Sequence, residues 1–157
     1  MTMSSSELAY RTKTASREAI SEHLSRCDAC FNPPLHTYVD IGEYARKIFD
    51  HAVTFECWRG KELVGLIGAY FNNVTRIAFV TSVSVLKEYQ GEGIATALMG
   101  HLIDCATGGD MIELKLELYE SNSKALQLYA RHGFVVAQRE ENKTVMCLRT
   151  QPNVTQT

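Results

Sequence analysis

Apolar positions recur at helical spacing in four stretches of the chain and at strand-like spacing in seven others. The first helix is predicted over residues 14–30, where Ile20, Leu24, Cys27 and Phe31 share a face. Asn32-Pro33-Pro34 ends it, because a residue ahead of proline is pushed out of the helical region. The second helix is predicted to begin at Asp40, which with Glu43 has capping-box spacing; Ile41, Tyr44, Ala45, Ile48 and Phe49 form its expected buried stripe. The third opens at Ile94 with Ala97, Leu98, His101, Leu102 and Cys105 on the same face, and is expected to stop in left-handed backbone at Gly108-Gly109. The fourth runs over 123–132, placing Ala125, Leu128, Tyr129 and His132 together, and Gly133 closes it. His101 and His132, on faces turned toward the core, read as packing or hydrogen-bonded residues.

The strand signals order themselves around these helices. Residues 8–12 predict a short edge strand, and Val53, Phe55 and Cys57 alternate with Thr54, Glu56 and Trp58. Arg59-Gly60-Lys61 turns the chain into 63–71, apolar on both faces and so expected in the interior of the sheet. Asn72-Asn73 turns it again into 77–86, rich in β-branched residues. Ile112, Leu114, Leu116 and Leu118 alternate with Glu113, Lys115, Glu117 and Tyr119; a helix joins this strand to the preceding one, so the two are expected to be parallel. Residues 134–137 and 144–148 predict a closing hairpin. The expectation is one mixed α/β domain of about seven strands flanked by four helices, with frayed tails at 1–6 and 151–157.

The chain is organised around the turn between the strand at 77–86 and the helix at 94, which reads Gln90-Gly91-Glu92-Gly93-Ile94-Ala95. Two glycines permit a tight fold, and the first amides of a helix have no acceptor within it. An anion, most naturally a phosphate or diphosphate, suits such a turn. No Gly-Lys-Ser/Thr follows, and Thr96 stands where a dinucleotide fingerprint needs a third glycine, so both common nucleotide motifs fit poorly.

Composition narrows the function classes. At 157 residues, 45% hydrophobic, 22% charged and a net charge of −2, the chain suits a soluble globule without the basic stripe that tracks nucleic acid. No apolar run approaches the ~20 residues of a membrane span, and 1–6 lacks a secretory layout, so a cytoplasmic protein is expected. Five cysteines, an odd number, read as reduced, and the three Asn-x-Thr matches at Asn73, Asn142 and Asn153 as chance. Cys27-x-x-Cys30 with His23 and His36 lacks the paired spacing of a structural zinc site, so no metal is expected.

The blocks Gln90-Gly91-Glu92-Gly93-Ile94-Ala95, Asn122-x-x-Ala125-x-x-x-Tyr129 and Gly133-Phe134, in this order, resemble the GNAT superfamily of acetyl-CoA-dependent N-acetyltransferases. The resemblance covers about 53–148; the first fifty residues agree only in their coarse layout. It implies that acetyl-CoA lays its diphosphate on the amides of Gln90, Gly91, Glu92, Gly93, Ile94, Ala95 and Thr96, and its pantetheine arm beside Val83 and Val85 as an added strand. Asn122 and Ala125 would hold that arm in the gap where the two parallel strands diverge.

An amine must be neutral to attack, and a lysine-type amine with pKa near ~10.4 needs a base. A phenol near ~10 stays protonated at neutral pH and can donate to the thiolate that leaves. Tyr129 occupies the family's tyrosine position and is the expected general acid. The strand at 77–86 offers Thr81, Ser82 and Ser84 where many members carry a glutamate, so Glu117, twelve residues before Tyr129 as in the ribosomal-protein N-terminal acetyltransferases, is the expected base. Glu56 and Tyr119 are weaker candidates. The acceptor is expected near residues 30–50, lined by Phe31, Leu35, Tyr38, Tyr44 and Trp58, and either a peptide α-amine or a small amine such as an amino sugar fits. A non-catalytic acyl-CoA sensor on the same fold is the alternative, a nucleotide-binding βαβ protein a more distant one, and a homodimer is left open.

Overall fold

Four antiparallel strands in sequence, β1 (Leu8–Thr12), β2 (Val53–Arg59), β3 (Glu62–Asn72) and β4 (Ile77–Val85), make one half of a mixed sheet. The computed structural model describes residues 7–119 and 122–150; the stretches 1–6 and 151–157, expected as tails, lie outside them. β5 (Glu113–Tyr119) pairs with β4 in parallel. β6 (Val135–Glu140) and β7 (Lys143–Arg149) close the sheet as a hairpin, in the order β1-β2-β3-β4-β5-β7-β6. Four α-helices lie among the described residues: α1 (Arg17–Arg26), α2 (Ile41–His51), α3 (Ile94–Gly108) and α4 (Ser123–Arg131).

β3 is buried on both faces between its ends, which is why it is apolar from Leu63 to Phe71. Val64 and Ile67 belong to one core with Ile94, Leu98, Met99 and Leu102 of α3 and Tyr129 of α4. Leu63 and Leu66 belong to a second with Ile20 and Leu24 of α1 and Ala45 and Ile48 of α2. Gly65 lets α3 approach closely, since a Cβ there would stand 2.7 Å from the Ile94 side chain.

Several local expectations change in the tertiary structure. α1 begins at Arg17, capped by Ser16, because the amides of Thr14 and Ala15 are taken by the Glu56 carboxylate; Asp28–Cys30 forms a separate 3-10 turn. Asp40 caps α2 as expected, accepting from the Glu43 amide, but Phe49 is 47% exposed and Ala52 fills that side of the stripe. On α3, His101 and Cys105 are exposed, and Met99 and Ala106 are buried instead. Ala, Cys and Met border both sides of the α3 stripe, so spacing alone leaves its axis uncertain by one residue. The His101 ring meets Tyr10 of the edge strand edge-on at 5.3 Å. His132 is half-buried, with its Nδ1 bonded to the Leu128 carbonyl.

α3 stops by a Schellman motif one residue later than its glycines suggest. The Met111 amide bonds the Ala106 carbonyl at 2.9 Å, the Asp110 amide bonds the Thr107 carbonyl at 3.3 Å, and Asp110 carries the left-handed φ of 67°. Gly109 has an ordinary φ of −95°. Because a side chain costs about 1 kcal/mol in that region, Asp110→Gly is expected to stabilise the protein by about that amount in urea unfolding.

β4 and β5 pair only from Ile77–Glu113 to Val80–Leu116, although β4 continues to Val85 and β5 to Tyr119. A bulge begins the divergence. Gly68 pairs with Ser82 and Ala69 with Val80, leaving Thr81 as the extra residue on β4. Bulges bend a strand and raise its twist, which here opens the sheet at its centre. The Tyr44 hydroxyl holds the bulge, donating to the Thr81 carbonyl at 2.6 Å.

Candidate functional site

Two cavities meet at this opening. A groove of about 800 Å³ runs from the glycine turn along the end of β4 to the face of α4. A cavity of about 370 Å³ lies between the 30–44 region, β4 and β5. Both are lined by Cys30, Phe31, Val83, Asn122, Ala125 and Tyr129, so the junction is defined by those six residues.

The glycine turn has the geometry its residues suggest. Gly91 and Gly93 adopt φ of 84° and 82°, which any other residue would enter only with strain. Gly93 is the N-cap of α3, no side chain caps it, and the first helical bond runs from the Ala97 amide to the Gly93 carbonyl. The amides of Ile94, Ala95 and Thr96 therefore have no side-chain acceptor, and those residues line the groove. Gln90 acts on the turn itself: its side-chain amide donates to the Val85 carbonyl at 3.1 Å, tying the turn to the end of β4. Val83 and Val85 line the groove; Glu92 does not. Lys87, Lys124 and Arg131 also line it, three cations that the sequence reasoning missed because none is a defining position of the motifs and they come from two separate elements. Amides and cations together make this end of the groove electropositive.

α4 is fixed at both ends by the residues of the second motif. Asn122 is its N-cap, accepting from the Ala125 amide at 3.2 Å. At the other end the Phe134 amide bonds the Tyr129 carbonyl and the Gly133 amide bonds the Ala130 carbonyl, with Gly133 at φ 97°. This is a Schellman motif in which Tyr129 and Phe134 are the paired hydrophobic positions, and their rings sit 5.8 Å apart. The spacing of Tyr129 to Gly133-Phe134 thus has a mechanical meaning: it aims the tyrosine. Tyr129 is 8% exposed, burial pushes its phenol up to about 12, and its hydroxyl has no hydrogen-bond partner among the described residues.

Phe31, Leu35, Tyr38 and Tyr44 line the smaller cavity as expected, joined by Phe79, Ser82 and Tyr119. The Tyr38 and Tyr119 rings meet edge-on at 6.3 Å. Glu117 lines it too, half-exposed and 3.3 Å from the Lys143 ammonium. Trp58 does not: it is buried in the second core, its indole N–H donating to Glu56. Glu56 is likewise removed from the list of bases. Its carboxylate is fully buried and accepts from the Thr14 amide and hydroxyl, the Ala15 amide, the Thr54 hydroxyl and the Trp58 indole. Burial raises its pKa, but these bonds outweigh burial and hold the carboxyl below its ordinary range.

The Cys27, Cys30, His23 and His36 set does not converge. Cys27 is buried, Cys30 is exposed, and His36 bonds Asp28 at 2.6 Å. His23 is buried under the groove, donating from Nδ1 to the Leu63 carbonyl at 2.8 Å and accepting at Nε2 from the Ser84 hydroxyl at 2.9 Å. Burial pushes its pKa from the usual 6.5 down to about 4. The unfolded chain therefore takes up a proton near pH 6.5 that the folded one refuses until about 4. The His23 contribution is complete above pH 6.5 and is lost as pH falls to about 4, a change of about 3 kcal/mol. Urea unfolding at pH 7.5 and pH 4.5 is expected to show this loss in the wild type and a smaller one in His23→Gln.

No helix among the described residues is long and apolar enough to cross a membrane. The fold is shared with the ribosomal-protein-S18-alanine N-acetyltransferase of Escherichia coli, at TM-score 0.76 and 20% identity over 95% of this chain and 99% of that one. It is also shared with the paia N-acetyltransferase of Thermoplasma acidophilum in complex with coenzyme A, at TM-score 0.70 and 13% identity over 90% of this chain and 99% of that one. In sequence, 61 residues (39% of this chain, 32% of the relative) are 38% identical to the N-alpha-acetyltransferase MAK3 of Arabidopsis thaliana. A stretch of 65 residues (41% of this chain, 38% of the relative) is 31% identical to the streptothricin acetyltransferase A of Bacillus subtilis (strain 168). The matches thus span less than two fifths of the length of either curated relative. The acetyltransferase (GNAT) family pattern matches residues 17–134, which takes in the glycine turn, the α4 cap and Tyr129. With that match over most of its length, on the fold just described, the chain belongs to the acetyltransferase (GNAT) family.

Proposed function

We propose that the chain is an N-acetyltransferase that moves the acetyl group of acetyl-CoA to a primary amine by direct attack, with both substrates bound at once. The observation that carries this reading is the meeting of two cavities at Tyr129 through the opening between β4 and β5. Direct transfer needs two substrates to reach one point from different sides, held close and aligned. In this reading the diphosphate rests on the amides of Ile94, Ala95 and Thr96, with Lys87, Lys124 and Arg131 beside it. The pantetheine arm lies along Val85 and Val83, facing Asn122 and Ala125.

The acceptor enters the smaller cavity as an ammonium. Aromatic walls and one carboxylate favour a cation there. Glu117 exchanges its Lys143 partner for the incoming ammonium and takes its proton, directly or through water. The freed amine attacks the thioester carbonyl, and Tyr129 gives its proton to the sulfur as it leaves. With its phenol at about 12, Tyr129 holds that proton at every working pH. About 370 Å³ sits at the small end of the ~300–1,000 Å³ of ligand pockets, which suits a small amine or the first residue of a peptide.

The test is thiol release from acetyl-CoA in the presence of a panel of peptide α-amines, amino sugars and polyamines. Turnover on at least one amine is expected, with initial rates that give intersecting double-reciprocal lines as a ternary complex requires. Coenzyme A binding without thiol release on any amine would favour a sensor, and binding of NAD or ATP in preference to coenzyme A would overturn the reading.

A further inference from the structure

The chain carries five cysteines, and all five are free. Cys27, Cys57 and Cys147 are buried, while Cys30 and Cys105 are exposed. Cys105 lies on α3 and lines neither cavity; Cys30 lines both, at the junction shared with Tyr129. The backbone there is pinned. The Cys30 amide bonds the Cys27 carbonyl at 2.8 Å, and the Asp28 carboxylate accepts from the His36 amide at 2.7 Å and from its ring at 2.6 Å, closing the loop that follows. A second observation marks this junction as a place where a ligand ends: Tyr129, a residue nine-tenths buried whose hydroxyl is unpartnered among the described residues, lines it as well.

We propose that Cys30 is a modification site at which coenzyme A is captured as a mixed disulfide, held in the groove and blocking the junction. This rests on the reading of the groove as a coenzyme A site. A pantetheine arm anchored at residues 94–96 and running past Val85 and Val83 brings its sulfur to the residues common to both cavities, and Cys30 is the thiol among them. The reactant is coenzyme A disulfide. The Cys30 thiolate attacks one of its sulfurs, forming the Cys30–S–S–CoA bond; the original S–S bond breaks and one coenzyme A thiolate leaves. One thiol-level sulfur and one disulfide stand on each side, so no further oxidant is needed. Cys27 does not resolve the adduct, because its buried thiol faces His23 at 3.5 Å and burial pushes it up to about 12, leaving too little thiolate.

The experiment treats the full chain separately with coenzyme A disulfide and with glutathione disulfide and follows intact mass, with peptide mapping. One coenzyme A adduct on Cys30 is expected, forming roughly tenfold faster than the glutathione adduct because the groove holds the reagent in place. Excess acetyl-CoA should slow it, and dithiothreitol should remove it and restore acetyl-CoA binding. Cys30→Ser should gain no adduct at that rate, whereas Cys105→Ser should gain it as fast as the wild type. Equal rates for the two disulfides, or equal labelling of Cys105 and Cys30, would overturn the proposal. Calorimetric titration of the reduced protein with coenzyme A separates the two ideas: binding without adduct formation sinks the Cys30 site alone, and absence of binding sinks the reading of the groove and the proposal with it.

Discussion

Replacing Tyr129 by phenylalanine is expected to lower kcat by about a hundredfold while the dissociation constant for acetyl-CoA changes less than about twofold. The separation follows from what the side chain does. Its ring is a core group, packed on Phe134 and set by the Schellman turn at Gly133, and phenylalanine preserves that packing. Its hydroxyl bonds nothing in the protein among the described residues, so removing it breaks no internal hydrogen bond. In the proposed reaction, what is lost is the proton given to the departing sulfur. Because the wild-type phenol sits at about 12, the activity of the wild type should show no falling limb from this group below pH 10. Steady-state kinetics with equilibrium binding of acetyl-CoA decides the matter. A kcat within about threefold of wild type would remove Tyr129 from proton transfer and leave it a packing residue.

Glu56→Ala is expected to be the most damaging change outside the site, costing about 4 kcal/mol in chemical denaturation and lowering Tm by roughly 10 °C. The carboxylate collects five donors from two separate pieces of chain: Thr14 and Ala15 before α1, Thr54 and Trp58 on β2. Deleting it leaves those donors without their acceptor, and the Ala15, Thr54 and Trp58 donors are buried. Its pH signature distinguishes it from a simple cavity. The folded carboxyl lies below its ordinary 4.5, so its contribution is present above pH 4.5 and fades as pH falls below that value. The gap in stability between wild type and Glu56→Ala should narrow on acidification below pH 4.5. A gap that stays constant, or a cost under about 1 kcal/mol, would show that the network does not hold the start of α1 to the sheet.

Glu56 also illustrates where sequence reasoning misleads. A glutamate on a strand that alternates with apolar residues looks like a solvated or catalytic group, yet three of its five donors come from Thr14 and Ala15, more than forty positions away in the chain. His101 and Cys105 misled for a different reason: helical periodicity locates a face only to within a residue when small apolar side chains border both of its sides. Glu92 belongs to a motif, yet in that motif it is the backbone that matters, and its side chain stays outside the groove.

Local rules were enough for much of the rest. Alternation, glycine turns and caps gave the seven strands, the four helices and their order, because each depends on residues within a few positions of one another. The geometry of the glycine turn was legible for the same reason: two left-handed glycines and an uncapped helix start are properties of six consecutive residues. Distance in the chain sets the boundary of that reasoning. Which strands part, by how much, and what faces the gap depend on the Thr81 bulge, on the Tyr44 hydroxyl that holds it from another helix, and on pairing that ends at Val80–Leu116. Likewise the meeting of Cys30, Val83, Asn122 and Tyr129 at one junction joins a turn, a strand and a helix far apart in sequence. Local chemistry therefore wrote the elements and the glycine turn, while packing of distant segments created the opening between the strands, since no short stretch of chain carries the energy of contacts made across the sheet.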